Sequence, residues 1–305
     1  MTDSLPFDLQ VNGYNGVDFC STGIEPEAFV TACDALRKDG FGGILATVIT
    51  DHVPDMSARL RQIVAAREAD ESVRAMIPGV HIEGPFISPE DGYRGAHPLP
   101  AVKPANIEDT KQLLDAAGGL TKVFTLAPEH DPSGEVTQFL SDQGIVVSAG
   151  HCNPSLDQLK AGIDAGLAMF THVGNGCPMM MHRHDNIIQR VLSLKDDLWL
   201  CFIADGVHVD FHALKNYIAA AGFDRSIAVT DAISAARLGP GRYTLAGWEL
   251  EIGADLIARE PGGTHFCGST VTMPKMLANL RDELGYSEAE IETLTAINPR
   301  KAIGL

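Results

Sequence analysis

The sequence predicts a (β/α)₈ TIM barrel, and three observations lead to that prediction. The chain has 305 residues, of which 45% are hydrophobic, and one barrel needs roughly 250 residues. Short apolar runs alternate with amphipathic stretches, which is the pattern of βαβ units around a parallel sheet. There are eight such apolar runs, one for each strand of a barrel. We therefore interpret residues 1–305 as a single barrel domain.

The predicted strands are short and apolar, and polar or turn-forming residues bound them. They cover residues 7–12, 43–49, 75–83, 122–128, 144–151, 168–173, 198–205 and 227–232. Eight strands with intervening helices favour a closed barrel over an open sheet, although periodicity alone leaves closure open.

Amphipathic helices are predicted between most of the strands. The first, over residues 26–38, has apolar residues at helical spacing behind a proline at its start. Residues 157–165 and 212–221 follow the same pattern. Residues 237–260 break the alternation, and their segment GRYTLAGWELEIG is typical of a β-hairpin inserted after the eighth strand. A helical tail is predicted over residues 274–303.

The composition argues against several classes of protein. The net charge of −17 does not suit a nucleic-acid partner, which requires a basic surface. No apolar run reaches the ~18 residues of a membrane span, and residues 1–6 lack the features of a signal peptide. We therefore expect a cytoplasmic protein with no membrane partner. The cysteines include no C-x-x-C pair and are interpreted as reduced thiols: Cys20, Cys33, Cys152, Cys177, Cys201 and Cys267.

Polar side chains stand at the carboxyl ends of most predicted strands. In a barrel those ends share one face, on which active sites are built. Residues far apart in the sequence can therefore converge on one ion. The residues concerned are Gln10, Asn12, Glu83, His151, His172, Asp205 and Asp231.

Within this group, Glu83, His151 and His172 form a set of two histidines and one carboxylate. Three such ligands with an open fourth position suit catalytic Zn²⁺, which lowers the pKa of bound water toward ~7. Asp231 could then accept the proton of that water. The alternative for each residue taken singly is a polar side chain with satisfied hydrogen bonds at a loop entrance.

The motifs around these residues form a series that spans nearly the whole chain. They are DLQVNGYNGVDF, HIEGPFISPEDGYRGAHP, TLAPE, GHCNPSLDQLKAGIDAG, FTHVGN, ADGVHVD, VTDAISAA and NPRKAIGL. In content and order they resemble the N-acetylglucosamine-6-phosphate deacetylase family of the amidohydrolase superfamily, and HIEGPFIS followed by GAH is the most specific match. The resemblance implies a barrel of the metal-dependent hydrolase type. It also implies an enzyme that removes the acetyl group of an amino sugar, with N-acetylglucosamine 6-phosphate as the expected substrate.

The resemblance implies catalytic roles position by position. Glu83, His151 and His172 match the metal ligands of the family, and Asp231 matches its catalytic acid/base. His97 matches a histidine that helps to polarise the amide carbonyl. The implied cofactor is one divalent ion, Zn²⁺.

The resemblance also implies a substrate site. His208 matches a histidine that contacts the sugar, and Asn175 and the backbone at Gly176 match part of the phosphate site. Arg183, eleven residues after His172, matches a phosphate-binding arginine that the neighbouring subunit contributes. We therefore expect a homodimer that binds an N-acetyl amino sugar phosphate.

Gln10 and Asn12 stand where many amidohydrolases carry a His-x-His pair. Neutral amides are poor ligands for a second zinc ion, and no lysine ends the fourth strand to bridge two metals. This resembles the one-metal branch of the superfamily, in which we expect Gln10 and Asn12 to orient the pocket and its substrate by hydrogen bonds. His81, two residues before Glu83, is expected to be packed in the barrel or to support a ligand.

Three features depart from the family pattern. Members usually carry a small β-sandwich built from both chain ends, and we expect this chain to lack it. Gly174 and the Gly176–Cys177 pair replace an aromatic residue and an Ala-Met pair, a change that weakens the phosphate assignment and could widen the pocket. Cys152 follows His151 directly, but alternation along a strand points adjacent side chains apart, which argues against a Cys152 ligand.

Two alternative functions remain open at this point. An enzyme with the same metal and base could act on an unphosphorylated N-acetyl sugar or an N-acyl amino acid, and residues 174–183 are the discriminating segment. A non-catalytic sugar-binding barrel would be expected to have lost a ligand or the base, whereas all four of these residues are present. The methionines at 179–181 are expected to form an apolar loop that packs on a neighbour.

Overall fold

Eight parallel strands form one sheet, in the order in which they occur along the chain. The structure is a computed structural model and describes residues 4–261 and 266–305. Strand β1 (Phe7–Val11) is followed by a short antiparallel pair, β2 (Gly13–Tyr14) and β3 (Val17–Asp18). The other strands of the sheet are β4 (Gly43–Ile49), β5 (Gly79–Glu83), β6 (Thr121–Leu126), β7 (Val146–Ala149), β8 (Leu167–Phe170), β9 (Trp199–Ile203) and β10 (Ser226–Val229).

The first and last strands of this sheet meet, so the sheet closes on itself. Val11 forms a parallel bridge with Ala232, and the backbone N–H of Asn12 donates to the Ala232 carbonyl at 2.7 Å. The buried carboxylate of Asp8 adds a link, because its Oδ2 accepts the N–H of Thr230 at 2.9 Å. The predicted (β/α)₈ barrel is confirmed.

Helices connect the strands on the outside of the barrel. The helix α1 (Pro26–Lys38) has the predicted bounds and begins at a proline, which cannot donate a backbone hydrogen bond and is tolerated there. No helix in residues 4–261 or 266–305 is long and apolar enough to cross a membrane. The other helices are α2 (Val53–Ala69), α3 (Glu71–Met76), α4 (Ile107–Ala116), α5 (Glu135–Asp142), α6 (Leu156–Asp164), α7 (Ile187–Leu192), α8 (Phe211–Ala221), α9 (Met273–Ala278), α10 (Glu288–Glu292) and α11 (Asn298–Ala302), with single turns of other helix types at Leu99–Ala101, Pro128–His130, Asn279–Glu283 and Thr293–Ile297.

Most predicted strands differ from the observed ones by one to three residues at an end, and two predicted elements differ further. The strand predicted over 75–83 begins only at Gly79, because the preceding residues complete α3, whose first turn is capped by the side chain of Asp70. The tail predicted as helical over 274–303 is interrupted. At Gly285 the backbone takes φ 75°, a left-handed conformation that ends the first part of the tail.

The predicted insertion after the eighth strand is a β-hairpin, as expected. It consists of β11 (Gly241–Leu245) and β12 (Trp248–Ile252), with the short β13 (Ala258–Arg259) beside them. Ala246 and Gly247 both have positive φ, 52° and 88°, as a two-residue turn between twisted antiparallel strands requires.

The interior of the barrel has an apolar layer and a polar layer. Within the polar layer, His81 Nδ1 donates to the Leu9 carbonyl at 3.0 Å and Nε2 accepts from Thr125 at 2.7 Å, so His81 is packed in the barrel. Thr125 in turn lies 2.9 Å from the hydroxyl of Thr171. The apolar layer comprises Phe7, Leu9, Leu45, Val123, Met169, Cys201, Ile203, Ile227, Val229 and, from the end of the C-terminal helix, Ile303.

Candidate active site

The polar residues at the strand ends line one cavity of about 450 Å³. Its volume is within the range of ~300–1,000 Å³ that is usual for small-molecule sites. The barrel brings these residues together from β1, β5, β7, β8 and β10, as the shared face of the strand ends predicts. They are Asn12, Glu83, His151, His172 and Asp231.

Three side chains at the base of this cavity point their ligand atoms at one another. Glu83 Oε1 lies 3.3 Å from His151 Nε2 and 3.1 Å from His172 Nε2. The two Nε2 atoms are 3.1 Å apart. A tetrahedral zinc ion ~2.0–2.1 Å from each ligand needs ligand atoms roughly 3.3 Å apart. The spacing of this triangle therefore fits a metal ion.

The orientation of His151 also fits a metal ion. Its Nδ1 lies 2.9 Å from the carbonyl oxygen of Tyr93, which can only accept a hydrogen bond. The hydrogen of a neutral His151 is therefore on Nδ1, and Nε2 presents a lone pair to the cavity. His97 adjoins the triangle, with Nε2 3.1 Å from His151 Nε2. Glu83, His97 and His151 form a group of ligand atoms within 4.8 Å of one another that could hold a metal ion.

The backbone is strained at three of these residues. His151, His172 and Asp231 have positive φ values of 50°, 35° and 50°. Residues other than glycine rarely adopt this left-handed region, which costs of order 1–3 kcal/mol, and such strain clusters at functional sites. The backbone therefore turns sharply just after β7, β8 and β10, and the side chains at these turns line the cavity. The sequence gives no sign of this feature.

Gln10 and Asn12 donate hydrogen bonds to two of the acidic groups. Gln10 Nε2 lies 3.2 Å and 3.1 Å from the two carboxylate oxygens of Glu83. Asn12 Nδ2 lies 2.7 Å from Asp231 Oδ1. Both residues are buried, and Asn12 is also part of the cavity wall. These contacts fix the direction in which each carboxylate faces.

Burial and close charges shift the pKa values in the cavity. Burial, and next the negative charge of Glu83, raise the pKa of Asp231 to about 7. Although burial alone would raise the pKa of Glu83, its hydrogen bonds to His151 and His172 lower that pKa well below the ordinary range. Burial, and next the neighbouring His151, lower the pKa of His97 to about 3. Two carboxyl groups whose pKa values are shifted in opposite directions are typical of an active site. One group stays charged, and the other can accept and donate a proton near neutral pH.

Proteins similar to this chain were found by comparison of the whole sequence with known proteins. No model of a protein family matches the chain. The N-acetylglucosamine-6-phosphate deacetylase of Mus musculus is 33% identical over 307 residues, which cover 98% of this chain and 73% of that protein. This chain belongs to the N-acetylglucosamine-6-phosphate deacetylase family.

Other members of the deacetylase family extend the comparison. The N-acetylgalactosamine-6-phosphate deacetylase of Escherichia coli O157:H7 is 29% identical over 298 residues, which cover 98% of this chain and 77% of that protein. Among solved structures, a variant of the Mycobacterium smegmatis N-acetyl-D-glucosamine-6-phosphate deacetylase in complex with N-acetyl-D-glucosamine-6-phosphate has a TM-score of 0.89 and 25% identity. That match covers 99% of this chain and 78% of the other.

In this member of the deacetylase family, His208 is held by Asp205. Its Nδ1 donates to Asp205 Oδ2 at 2.7 Å, and both side chains are buried. Although burial lowers the pKa of His208, the bond to Asp205 and its charge raise that pKa above the ordinary range. Asp205 Oδ1 also accepts the backbone N–H groups of Val207 and His208. The imidazole is thereby fixed where it lines the cavity.

Asn175 and Gly176 line the same cavity, and Gly176 lies close to the two histidines of the triangle. A Cβ atom added to Gly176 would lie 3.2 Å from His151 Nδ1 and 3.3 Å from His172 Cε1. Gly176 also has a positive φ of 62°. Glycine at this position therefore lets the loop approach the two imidazoles closely.

Arg183 lies apart from the cavity of its own chain. It is exposed in the loop between β8 and α7, and it is not among the residues that line the cavity. Met179 and Met180 of the same loop are 98% and 90% exposed. Cys152 is buried, and it is absent from the metal-binding group found within residues 4–261 and 266–305.

Proposed function

We propose that this chain is a metal-dependent deacetylase that converts N-acetylglucosamine 6-phosphate and water into acetate and glucosamine 6-phosphate. The observation that carries the proposal is the convergence of Glu83, His151 and His172 on one point of a cavity that Asp231 also lines. The family relatives described above, which are deacetylases of N-acetylhexosamine 6-phosphates, support the choice of substrate.

We assign Glu83, His151 and His172 as the ligands of one divalent ion and expect zinc. His172 Nε2 contacts both other ligand atoms at 3.1 Å, whereas the close contact of His97 Nε2 is with His151. This difference supports His172 as the third ligand and leaves His97 beside the ion. A divalent ion held there would lower the pKa of a water molecule and polarise the carbonyl of the substrate.

Asp231 is the proposed general base and acid. Asn12 donates a hydrogen bond to Oδ1 of the Asp231 carboxylate. We assign the other oxygen, Oδ2, to the contact with the reacting water. Asp231 would accept a proton as the water oxygen bonds to the amide carbonyl carbon. It would then deliver that proton to the nitrogen as the C–N bond breaks, which leaves acetate and a free amine. Proton transfer of this kind contributes ~10²–10⁴-fold to a rate.

Two other histidines complete the proposed mechanism. His97 is buried and, with a lowered pKa, neutral at neutral pH. One of its ring nitrogens therefore carries a hydrogen that can be donated to the carbonyl oxygen, where negative charge develops. His208, oriented by Asp205, is assigned to the sugar.

The phosphate group needs a cation from outside this cavity. Among the described residues that line the cavity, none is a lysine or an arginine. Arg183 is exposed on a loop with two exposed methionines, a composition suited to contact with a second copy of the chain. We therefore propose a homodimer in which Arg183 of each subunit binds the phosphate in the other cavity.

An unphosphorylated N-acetylhexosamine is the second candidate substrate. The observation in its favour is the same absence of lysine and arginine from the described wall of the cavity. If Arg183 did not reach a partner, only neutral and acidic groups and histidines would surround the ligand. A sugar without phosphate would then suit the cavity better than an anion.

Acetate release should distinguish these candidates. We expect the purified enzyme to release acetate fastest from 6-phosphorylated N-acetylglucosamine or N-acetylgalactosamine, and at least tenfold more slowly from the same sugars without phosphate. The measurement is kcat/KM for each of the four sugars. Release of acetate from none of them would contradict the deacetylase. Equal rates with and without phosphate would favour the unphosphorylated substrate.

Arg183→Ala should raise KM for the 6-phosphorylated sugar roughly tenfold to a hundredfold. Arginine can bind phosphate through two parallel charge-assisted hydrogen bonds, and hydrogen bonds to charged groups contribute ~1.5–3 kcal/mol. KM for the unphosphorylated sugar should change little. Steady-state kinetics on both sugars measure the difference.

The control for Arg183→Ala is Arg61→Ala, which removes an exposed arginine from α2 on the outside of the barrel. It should leave both KM values unchanged. Light scattering during gel filtration should show the parent enzyme as a dimer. An active monomer, or equal losses for both sugars, would contradict the proposed phosphate contact.

A further inference from the structure

The inserted hairpin brings apolar side chains into a cavity whose candidate catalytic residues are polar. Leu245 and Trp248, the closing pair of β11 and β12, line the cavity together with Phe266. The barrel and its loops contribute the histidines, carboxylates and amides described above. The cavity therefore has a reactive polar part, supplied by the strand ends, and an apolar part, to which the insertion contributes Leu245 and Trp248.

The tip of the hairpin is fixed to the barrel. The N–H of Ala246 donates to Oδ2 of the buried Asp18 at 2.8 Å, and Ser234 Oγ donates to the Thr244 carbonyl at 2.9 Å. Leu245 packs into a buried cluster with Ile49, which ends β4. These contacts hold Trp248 in place before a ligand binds, which reduces the entropic cost of binding.

Trp248 is less covered than its neighbours on the same face of the strand. Leu250 and Ile252, which alternate with it along β12, are 1% and 3% exposed, whereas Trp248 is only partly buried. The indole borders the catalytic cavity and also a second cavity of about 420 Å³ beside the loop of residues 91–98. Part of its large apolar surface therefore faces space that a ligand can fill.

We propose that Trp248 is the platform on which the C–H face of the hexosamine ring lies. This inference rests on the proposed function and extends it to a residue that determines specificity for the sugar. A pyranose ring has hydroxyl groups around its edge and C–H bonds on its faces. The polar groups of His208 and Asn175 suit the edge, and the indole suits a face. An aromatic side chain supplies such contact area at a low cost in conformational entropy.

The fluorescence of Trp248 tests the contact directly. The chain has two tryptophans. The other, Trp199, begins β9 and so lies at the opposite end of the barrel, against Arg225 and Lys301. Trp199→Phe therefore leaves Trp248 as the single indole. Addition of glucosamine 6-phosphate, which has no acetyl group to hydrolyse, should shift the emission of this variant in a saturable way.

The matched control keeps Trp199 and carries Trp248→Phe. Its emission should stay constant when the same ligand is added, while calorimetry should show that the ligand still binds. If calorimetry shows binding to the Trp199→Phe variant and the emission of Trp248 is unchanged, the platform is ruled out. This readout does not depend on catalysis, so it separates failure of the inference from failure of the proposed function, which acetate release tests.

Kinetics give a second test. Trp248→Ala should raise KM for the 6-phosphorylated N-acetylhexosamine roughly tenfold, whereas Trp248→Phe should stay within about threefold of the parent because it keeps an aromatic face. A melting curve shows whether each variant is folded. A folded Trp248→Ala enzyme with the parent KM, or a Trp248→Phe enzyme as impaired as Trp248→Ala, would overturn the proposal.

Discussion

Asp231→Asn is expected to lower kcat by roughly 10²–10⁴-fold while the fold and the metal content are retained. An amide cannot accept the proton of the reacting water, although it fills the same volume as the carboxyl group. The amide oxygen can still accept the hydrogen bond that Asn12 Nδ2 donates at 2.7 Å, so the side chain should keep its position. The measurements are kcat, a melting curve and elemental analysis of the purified variant.

Asp70→Asn is the matched control for this prediction. Asp70 lies outside the cavity and caps α3 by accepting backbone N–H groups from Ser72 and Val73. Asparagine caps helices about as well as aspartate, so this variant should keep parental activity and stability. If Asp231→Asn stayed within tenfold of the parent kcat, Asp231 could not be the general base.

Local patterns predicted most of the barrel elements, but they misplaced the start of one strand and left closure of the barrel open. The strand at 43–49 and the helix at 26–38 have the predicted bounds, because a continuous apolar run and a proline-started helix are strong local patterns. The strand predicted over 75–83 was wrong at its start. Residues 75 and 76 are apolar, which suits the end of a helix as well as the start of a strand, and in the structure they belong to α3. The barrel closes where Val11 bridges to Ala232, at the two ends of the sheet. No local sequence pattern predicts a contact between residues so far apart in the chain.

The convergence of the candidate site could be predicted because the topology imposes it. Once Glu83, His151, His172 and Asp231 each end a parallel strand, closure of the barrel brings them to one face. The left-handed backbone of His151, His172 and Asp231 could not be predicted, since histidine and aspartate do not signal positive φ as glycine does. The partners of Gln10 and Asn12 also depend on the register between distant strands.

Trp248 was missed for a related reason. The segment GRYTLAGWELEIG predicted a hairpin from its alternation, and the structure has one. A hairpin pattern fixes which side chains share a face, but it does not fix where the hairpin lies on the barrel. That placement depends on the contact between Ala246 and Asp18, residues 228 positions apart.

Glu83→Gln should lower metal affinity by more than about a hundredfold. Loss of only a hydrogen-bond partner of a metal ligand costs ~10–100-fold, and this substitution removes an anionic ligand itself. The replacement also places an amide N–H₂ group near His151, His172 or the donating Gln10, all of which now face a carboxylate. The parent enzyme should carry about one divalent ion per chain, with zinc expected, and the variant less than a tenth of that after dialysis. Elemental analysis measures both.

Glu129→Gln provides the control for metal binding. Glu129 is another carboxyl group that is partly buried, just after β6, and it accepts the backbone N–H of Asn153 at 2.6 Å, a bond that an amide oxygen can also make. Burial raises its pKa to about 7, so replacement by a neutral amide should change little, and the metal content should equal that of the parent. Because a metal that binds only the folded chain raises the melting temperature, a chelator should lower the Tm of the parent and of Glu129→Gln but leave that of Glu83→Gln unchanged. Two tightly bound ions in the parent, or a full ion in Glu83→Gln, would contradict a single site built on Glu83.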